Sequence, residues 1–213
     1  MPIITSEDFE KLRNLKVDYS LKPAWVLFLI QCLTGLRYSD AQRLSQSNIV
    51  KETIDGKEYV FLDCINKKTL KKIRQDITKD DFLIDLLKQK INYRGSFSEN
   101  KMNKCIKKIC KMAKLDTPFE SVKKEGGEKI FTSAPKWQLI TSHTGRRSYI
   151  TNMHNLGVDY MDIKDLTGIS SDSTLATYLY VTDFDKTKRL INSSIPNNPY
   201  TSGQRKLEIG KAS

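Results

Sequence analysis

The spacing of apolar residues predicts a mainly helical chain. The strongest apolar run, AWVLFLIQCL at residues 24–33, predicts a core helix that ends at Gly35. It is much shorter than the ~20 apolar residues that cross a bilayer, so no membrane partner is expected. Before it, TSEDFEKL predicts a helix capped by Thr5 or Ser6, with acidic residues in its first turn.

Residues 56–77 change from helical to strand-like periodicity. KEYVFLDCI resembles a buried strand, IRQDI alternates apolar with polar residues, and the polar NKKTLKK lies between them. The pattern predicts a hairpin or meander with lysines at its tip. Helical periodicity returns in DFLIDLLKQKI and in KMNKCIKKICKMAKL, where one face carries Met102, Ile106, Ile109 and Met112.

The last third of the chain predicts an insertion followed by three short helices. Residues 116–140 contain KKEGGEK and SAPKW, which indicate a loop or short hairpin. The helices are predicted to begin near Ser142, Asp159 and Ser173, and periodicity ends after residue 191. The predicted fold class is α+β, mostly helical, with a small antiparallel sheet.

The composition of the chain indicates a polyanionic binding partner. The 213 residues include 36 Lys and Arg against 25 Asp and Glu, a formal net charge of +11. An excess of this size favours nucleic acid, although a generally solvated basic surface is the alternative. The four cysteines form no CxxC pair and the chain has two histidines, so we expect no zinc site. No signal peptide opens the chain, which favours a cytoplasmic protein.

The segment SHTGRRSYIT, residues 142–151, places positive charge at the start of an apolar helix. His143, Arg146 and Ile150 share one helical face, so the first two are predicted to point into the core or a cleft and Arg147 elsewhere. A desolvated guanidinium needs a partner, which is either an internal carboxylate or a phosphate. The same two alternatives apply to Arg37 in TGLRYSD, which an internal pair would join to Asp40.

Taken together, three segments resemble the catalytic domain of tyrosine recombinases, the phage integrase family. TGLRYSD resembles the family's first arginine box, HTGRRSYIT its His-x-x-Arg box, and LTGISSDSTLATYLYV its tyrosine-containing terminal box. The sequences of these segments most resemble those of mobile-element integrases of Bacteroides-like bacteria. The resemblance implies a catalytic domain over residues 1–191 and a tail over 192–213. The N-terminal core-binding domain usual in the family is expected to be absent from this chain.

The resemblance implies a role for each matching residue. Arg37 and Arg146 would hold the non-bridging oxygens of a DNA phosphodiester, and His143 would donate a hydrogen bond or transfer a proton. Lys68, or in its place Lys67, would protonate the departing 5′ oxygen. The chemistry implied by the resemblance requires no metal and no other cofactor.

The nucleophile is expected in the terminal box. Tyr178 would attack phosphorus and form a 3′-phosphotyrosyl bond, whereas Tyr180 would face another side of the helix. Asp40 would orient the site. The family has a histidine or tryptophan donor where this chain has Ile169, so we expect cleavage that is slowed but real and that Ile169→His would accelerate.

The resemblance also implies which partners the chain binds, and two alternative functions stay open. Double-stranded DNA is the expected partner, with four copies on two synapsed duplexes and a monomer without DNA, in a bacterial cytoplasm. A non-catalytic or degenerate DNA-binding module, with residues 148–168 as a helix-turn-helix, is one alternative. A type IB topoisomerase-like enzyme is another. Beyond the catalytic set, the residues expected to contact DNA are Lys67, Lys71, Lys72 and Arg147.

Overall fold

The described part of the chain is a helical domain with two small antiparallel sheets. A computed structural model describes residues 2–92, 98–125 and 128–179, so the predicted tail at 192–213 lies outside the described residues. The α+β class with mostly helical content and a small antiparallel sheet is confirmed.

The helical elements fall in three regions of the chain. The first region holds α1 (Ser6–Arg13), α2 (Lys22–Thr34) and α3 (Tyr38–Arg43), followed by a single 3-10 turn (Gln46–Asn48). The second holds α4 (Asp81–Asn92) and α5 (Glu99–Met112). The third holds α6 (Lys136–Leu139), α7 (Ser142–Asn155), α8 (Tyr160–Thr167) and α9 (Asp172–Tyr178).

The first sheet has three strands, β1 (Ile49–Ile54), β2 (Lys57–Ile65) and β3 (Lys72–Asp76), in the order β1-β2-β3. The β2–β3 hairpin with a lysine-rich connection is as predicted. The sequence reading missed β1, because the strand is half exposed and lacks a clean apolar face. The signal for it was the Asp55-Gly56 pair, which has positive φ values of 51° and 75° and closes a tight hairpin.

The predicted insertion at 116–140 contains a second hairpin, β4 (Pro118–Glu125) paired with β5 (Glu128–Pro135). It leads directly into α6, where Lys136 is buried and forms an ion pair with Asp8 of α1. A buried lysine requires such a partner, since an unpaired buried charge is costly.

The main core forms around α2, which packs against α4, α5 and α7. Residues 24–30 are all buried, because an apolar helix with no polar face is stable only where neighbours surround it. On α5, Met102, Ile106 and Ile109 are fully buried as the periodicity predicted. Met112, the fourth residue of the predicted stripe, is 42% exposed at the end of the helix.

A second apolar cluster joins the last three helices. Its buried members are Tyr149 and Ile150 of α7, Ile163 of α8, Ile169, and Leu175 of α9. The cluster fixes α9 against α7 and thereby places the terminal segment beside the start of α7.

Candidate active site

Arg146 occupies the centre of the candidate site and is 0% exposed. Its Nη1 donates hydrogen bonds to the carbonyl oxygens of Gly35, at 2.6 Å, and Thr167, at 3.0 Å. Its Nε and Nη2 atoms are buried and have no hydrogen-bond partner among the described residues. No carboxylate of the described chain pairs with this guanidinium. Backbone carbonyls at two helix ends therefore hold Arg146 and leave two of its N–H directions available to an anion.

Arg37 brings a second cation to the same place. It precedes α3 as its N-terminal cap residue, and its buried Nη1 has no partner among the described residues. Burial and the charge of Arg37 together lower the pKa of Arg146. The two guanidinium groups thus repel each other, and an anion between them would relieve that repulsion.

Asp40 does not form the internal pair with Arg37 that the sequence allowed. The carboxylate is 2% exposed, and its Oδ1 accepts hydrogen bonds from Arg43 Nη2 and from the backbone N–H of Lys67, both at 3.0 Å. Its Oδ2 is buried without a partner within the described chain. Asp40 therefore joins α3 to the lysine-rich turn between β2 and β3, residues 66–71, and Arg37 forms no ion pair with a carboxylate of the described chain.

Tyr178, the last residue of α9, lies against both arginines of the His-x-x-Arg segment. The Cζ atoms of Arg146 and Arg147 are 5.2 Å and 6.0 Å from the centre of its ring. Thr151 of α7 donates a 3.1 Å hydrogen bond to the Tyr178 carbonyl and fixes the end of α9. The expectation that Arg147 points away from the site is wrong, because residues 146 and 147 flank the tyrosine from one helix turn. Tyr180 lies outside the described residues.

His143 lies at the solvent edge of this group. Of the two predicted positions, the core or a cleft, the core is wrong: the His143 side chain is exposed, since the first turn of α7 begins at the surface. Its ring centre is 6.1 Å from that of Tyr178. Partial desolvation and the charges of the neighbouring arginines lower the pKa of His143, so the imidazole is neutral at pH 7.

The lysine-rich turn lies beside the end of α8. Lys67 and Lys68 are exposed, Lys71 is half-buried, and Lys72 is exposed on β3, 3.5 Å from Asp63. The side chain of Thr69 donates a 3.1 Å hydrogen bond to the Gly168 carbonyl. This contact brings the predicted general acid and the predicted nucleophile's segment to the same helix end.

Ile169 is fully buried in the second apolar cluster, directly after the left-handed Gly168. Its N–H donates to the Lys164 carbonyl at 3.0 Å, and its side chain joins the same cluster as Ile163. An apolar residue after the glycine commonly packs on the last turn of a helix that ends this way. The isoleucine therefore stabilises the end of α8, and its side chain cannot donate a hydrogen bond.

The two serines that could replace the missing donor differ in their surroundings. Ser171 accepts a hydrogen bond from Thr174 N–H and caps α9, whereas Ser170 is exposed. Sequence reasoning missed two further contributors, Asn66 and Thr69. The signal for them was an asparagine opening the polar segment NKKT, since Asn side chains often bond the backbone of a following turn.

The described ranges, residues 2–92, 98–125 and 128–179, contain neither a candidate membrane span nor a candidate metal site. No helix there is both long and apolar enough for a membrane span. No group of three or more His, Cys, Asp or Glu side chains is arranged there to hold a metal ion.

Comparison with known proteins identifies relatives of this arrangement. Residues 5–184 match the Phage integrase family, and no curated protein matches the chain. XerA recombinase is similar in structure, with a TM-score of 0.59 and 14% identity over 90% of this chain and 63% of that one. XerH site-specific recombinase, bound to a palindromic difH substrate in a post-cleavage complex, has a TM-score of 0.57 and 14% identity over 88% and 51%.

A third similar structure is the Tn1549 transposon integrase in complex with circular intermediate DNA, with a TM-score of 0.54 and 14% identity over 91% of this chain and 65% of that one. The chain therefore spans between half and two thirds of the length of these solved chains.

Proposed function

Because the chain belongs to the phage integrase family, we propose that it cleaves and rejoins DNA at specific sites through a 3′-phosphotyrosyl intermediate. The observation that carries the proposal is the buried Arg146 guanidinium, with two N–H directions unpartnered in the described structure and Tyr178 beside it. Two proteins of similar fold have bound partners in their structures: the XerH site-specific recombinase is bound to a difH substrate, and the Tn1549 transposon integrase is in complex with circular intermediate DNA. Double-stranded DNA is accordingly the proposed substrate.

Arg37 and Arg146 form the proposed phosphate clamp. A fully desolvated guanidinium with incomplete hydrogen bonding is costly, and a second cation nearby increases the cost. A phosphodiester supplies both the negative charge and the acceptor oxygens that are missing. The attack on phosphorus increases negative charge on those oxygens, so donors already fixed in place stabilise the transition state.

Tyr178 is the proposed nucleophile. Its phenolic oxygen forms a bond to phosphorus while the bond from phosphorus to the 5′ oxygen breaks. His143, neutral at pH 7 because its pKa is lowered, is the proposed acceptor of the phenolic proton. Since one ester replaces another, the reverse reaction with a second DNA strand rejoins the backbone.

The departing 5′ oxygen requires a proton, which we assign to Lys68. Its side chain is exposed on the turn that contacts Gly168, near the segment that carries Tyr178. Lys67 is the substitute in this assignment, although its backbone N–H is bound to Asp40. Asp40 serves as a positioning residue for this turn.

Basic residues around the site are the proposed DNA contacts. Lys67, Lys71, Lys72 and Arg147 would bind the DNA backbone, with Lys72 exchanging Asp63 for phosphate. Recombination between two duplexes would use four copies of the chain, with residues 1–191 forming the catalytic domain. With Ile169 buried and apolar, the proposed clamp has one donor fewer than is usual for the family.

A nicked suicide duplex taken from the DNA flanking the protein's own gene tests this function. The nick releases a short fragment after cleavage, so a covalent protein–DNA adduct accumulates and survives a denaturing gel. We expect an adduct with the native chain and with Tyr160→Phe, a matched tyrosine exposed on α8, and none with Tyr178→Phe. Binding without an adduct in the native chain would favour the DNA-binding module instead.

A further inference from the structure

The side chain of Asn66 organises the turn that carries Lys68. Asn66 is 0% exposed, and its Oδ1 accepts hydrogen bonds from the backbone N–H groups of Lys68, at 2.9 Å, and Thr69, at 3.1 Å. The Asn66 N–H also donates to the Lys71 carbonyl at 2.9 Å, which closes the turn across its base. The lysines are therefore displayed on a turn that is ordered from inside the protein.

The same turn is attached to the end of α8 at a single carbonyl. Thr69 Oγ1 donates to the Gly168 carbonyl at 3.1 Å, and Asn66 Nδ2 donates to it at 3.5 Å. The approach is close, because a Cβ added at Gly168 would be 2.7 Å from Asn66 Nδ2. Glycine at this position thus permits both the left-handed turn and the contact.

The neighbouring carbonyl binds the proposed phosphate clamp. Thr167 accepts from Arg146, and the next carbonyl along the chain, Gly168, accepts from the lysine-rich turn. Carbonyls in the last turn of a helix have no partner within the helix, so side chains can satisfy them. Three residues after Gly168, Ser171 caps α9, the helix that ends at Tyr178. One helix end therefore lies in direct contact with the clamp and the acid-bearing turn, and it leads directly to the nucleophile's helix.

We propose that Asn66 and Thr69 are positioning residues that fix Lys68 in register with Tyr178 through the Gly168 carbonyl. The inference rests on the proposed function, because it assigns these residues a role through Lys68. An exposed lysine on an unattached hairpin tip would spend little time at the departing oxygen, and misplacement by ~1 Å is enough to slow a reaction strongly. Attachment to the segment that leads to Tyr178 couples the position of the acid to that of the nucleophile.

The test replaces the bridging 5′ oxygen of the scissile phosphate in the suicide duplex by sulfur. A thiolate leaves without protonation, so cleavage of the sulfur ester does not need the general acid. We expect Thr69→Val to slow cleavage of the oxygen ester about tenfold, the effect of one lost hydrogen bond on placement, and to change cleavage of the sulfur ester by less than about threefold. Thr69→Ser, which keeps the hydroxyl, should restore oxygen-ester cleavage.

Further variants separate positioning from stability. Lys68→Ala should show the same selective loss, larger in size, and the double variant Lys68→Ala with Thr69→Val should cleave no more slowly than Lys68→Ala. Thr78→Val is the matched control: it removes a threonine hydroxyl in the turn after β3, where that hydroxyl accepts a hydrogen bond from Val60 N–H. We expect the control to affect the two esters equally.

Each contrary result has a distinct meaning. In one case Lys68→Ala slows only the oxygen ester, whereas Thr69→Val slows both esters equally or slows neither of them. The positioning role is then overturned and Lys68 remains the general acid. If Lys68→Ala slows both esters equally, Lys68 is not the general acid, and the positioning role of Asn66 and Thr69 is overturned as well. If the native chain forms no adduct with either ester, the proposed function is overturned and the inference with it.

Discussion

At the scale of residues, the site is defined by positive charge that the described protein does not neutralise. Arg146 is held by two carbonyls, Arg37 has a buried N–H group without a partner among the described residues, and the Asp40 carboxylate is bound to other groups. Sequence reasoning identified both arginines but left their partner open between carboxylate and phosphate. The choice depends on where Asp40 points, which residue types and spacing do not determine.

Sulfate should bind this clamp and raise the melting temperature. At about ten times its Kd, a bound anion adds about 1.4 kcal/mol to the free energy of unfolding, or about 3–6 °C in Tm. Arg37→Ala should abolish this gain without lowering Tm in chloride, because it also removes repulsion from Arg146. Thermal denaturation in sulfate and in chloride of equal ionic strength measures both effects.

The control is Arg13→Ala, which removes an arginine paired with Glu10 on α1 and should keep the rise in melting temperature in sulfate. Two results would contradict the assignment: loss of that rise in Arg13→Ala, or its retention in Arg37→Ala.

Ile169→His should have opposite effects on stability and on cleavage. Histidine replaces an apolar side chain inside a filled cluster, so the free energy of unfolding should fall by about 2–3 kcal/mol. The new donor lies in the cluster that borders Tyr178 and should increase the cleavage rate at least about tenfold, measured well below Tm. Ile169→Leu should give no increase. An unchanged rate in a folded Ile169→His protein would show that position 169 does not reach the phosphate.

At the scale of elements, helix ends rather than helix faces build the site. Gly35 after α2 and Thr167 at the end of α8 both present a carbonyl to Arg146, and Gly168 presents one to the lysine-rich turn. The sequence predicted α1, α2, α4, α5 and the last three helices, together with the glycine stop at Gly35, because periodicity and glycine are local signals. It could not predict which carbonyls meet, because every residue has one and tertiary packing alone selects among them.

Gly35→Ala should therefore be much more disruptive than the same change at Gly157. Both glycines follow a helix with positive φ, 65° and 85°, so both substitutions carry a backbone cost of about 1–2 kcal/mol. At Gly35 the added Cβ would also lie 2.4 Å from Tyr149 Cδ1, whereas nothing lies within 4 Å at Gly157. Displacing Tyr149 should bring the Gly35→Ala loss to about 3 kcal/mol or more. Urea unfolding gives the comparison, and equal losses at the two sites would contradict the packing described.

At the scale of the whole molecule, three sequence segments far apart along the chain meet at one site. The family resemblance rested on the order of the three segments and on their residue identities, and the match over residues 5–184 confirms it. The sequence also predicted the fold class, but not β1, whose half-exposed face has no regular alternation. Contacts such as that of Thr69 with Gly168, ninety-nine residues apart, arise only from the folded arrangement.

The most direct test of this account is the identity of the residue that becomes bonded to DNA. The covalent adduct from the suicide duplex can be digested with nuclease and trypsin and sequenced by mass spectrometry. The peptide of residues 165–186 contains both Tyr178 and Tyr180, so fragmentation between them is required. The account predicts a nucleotide attached to Tyr178 through a 3′-phosphate. Attachment to Tyr180, or to any residue outside this peptide, would contradict the site assembled around Arg146.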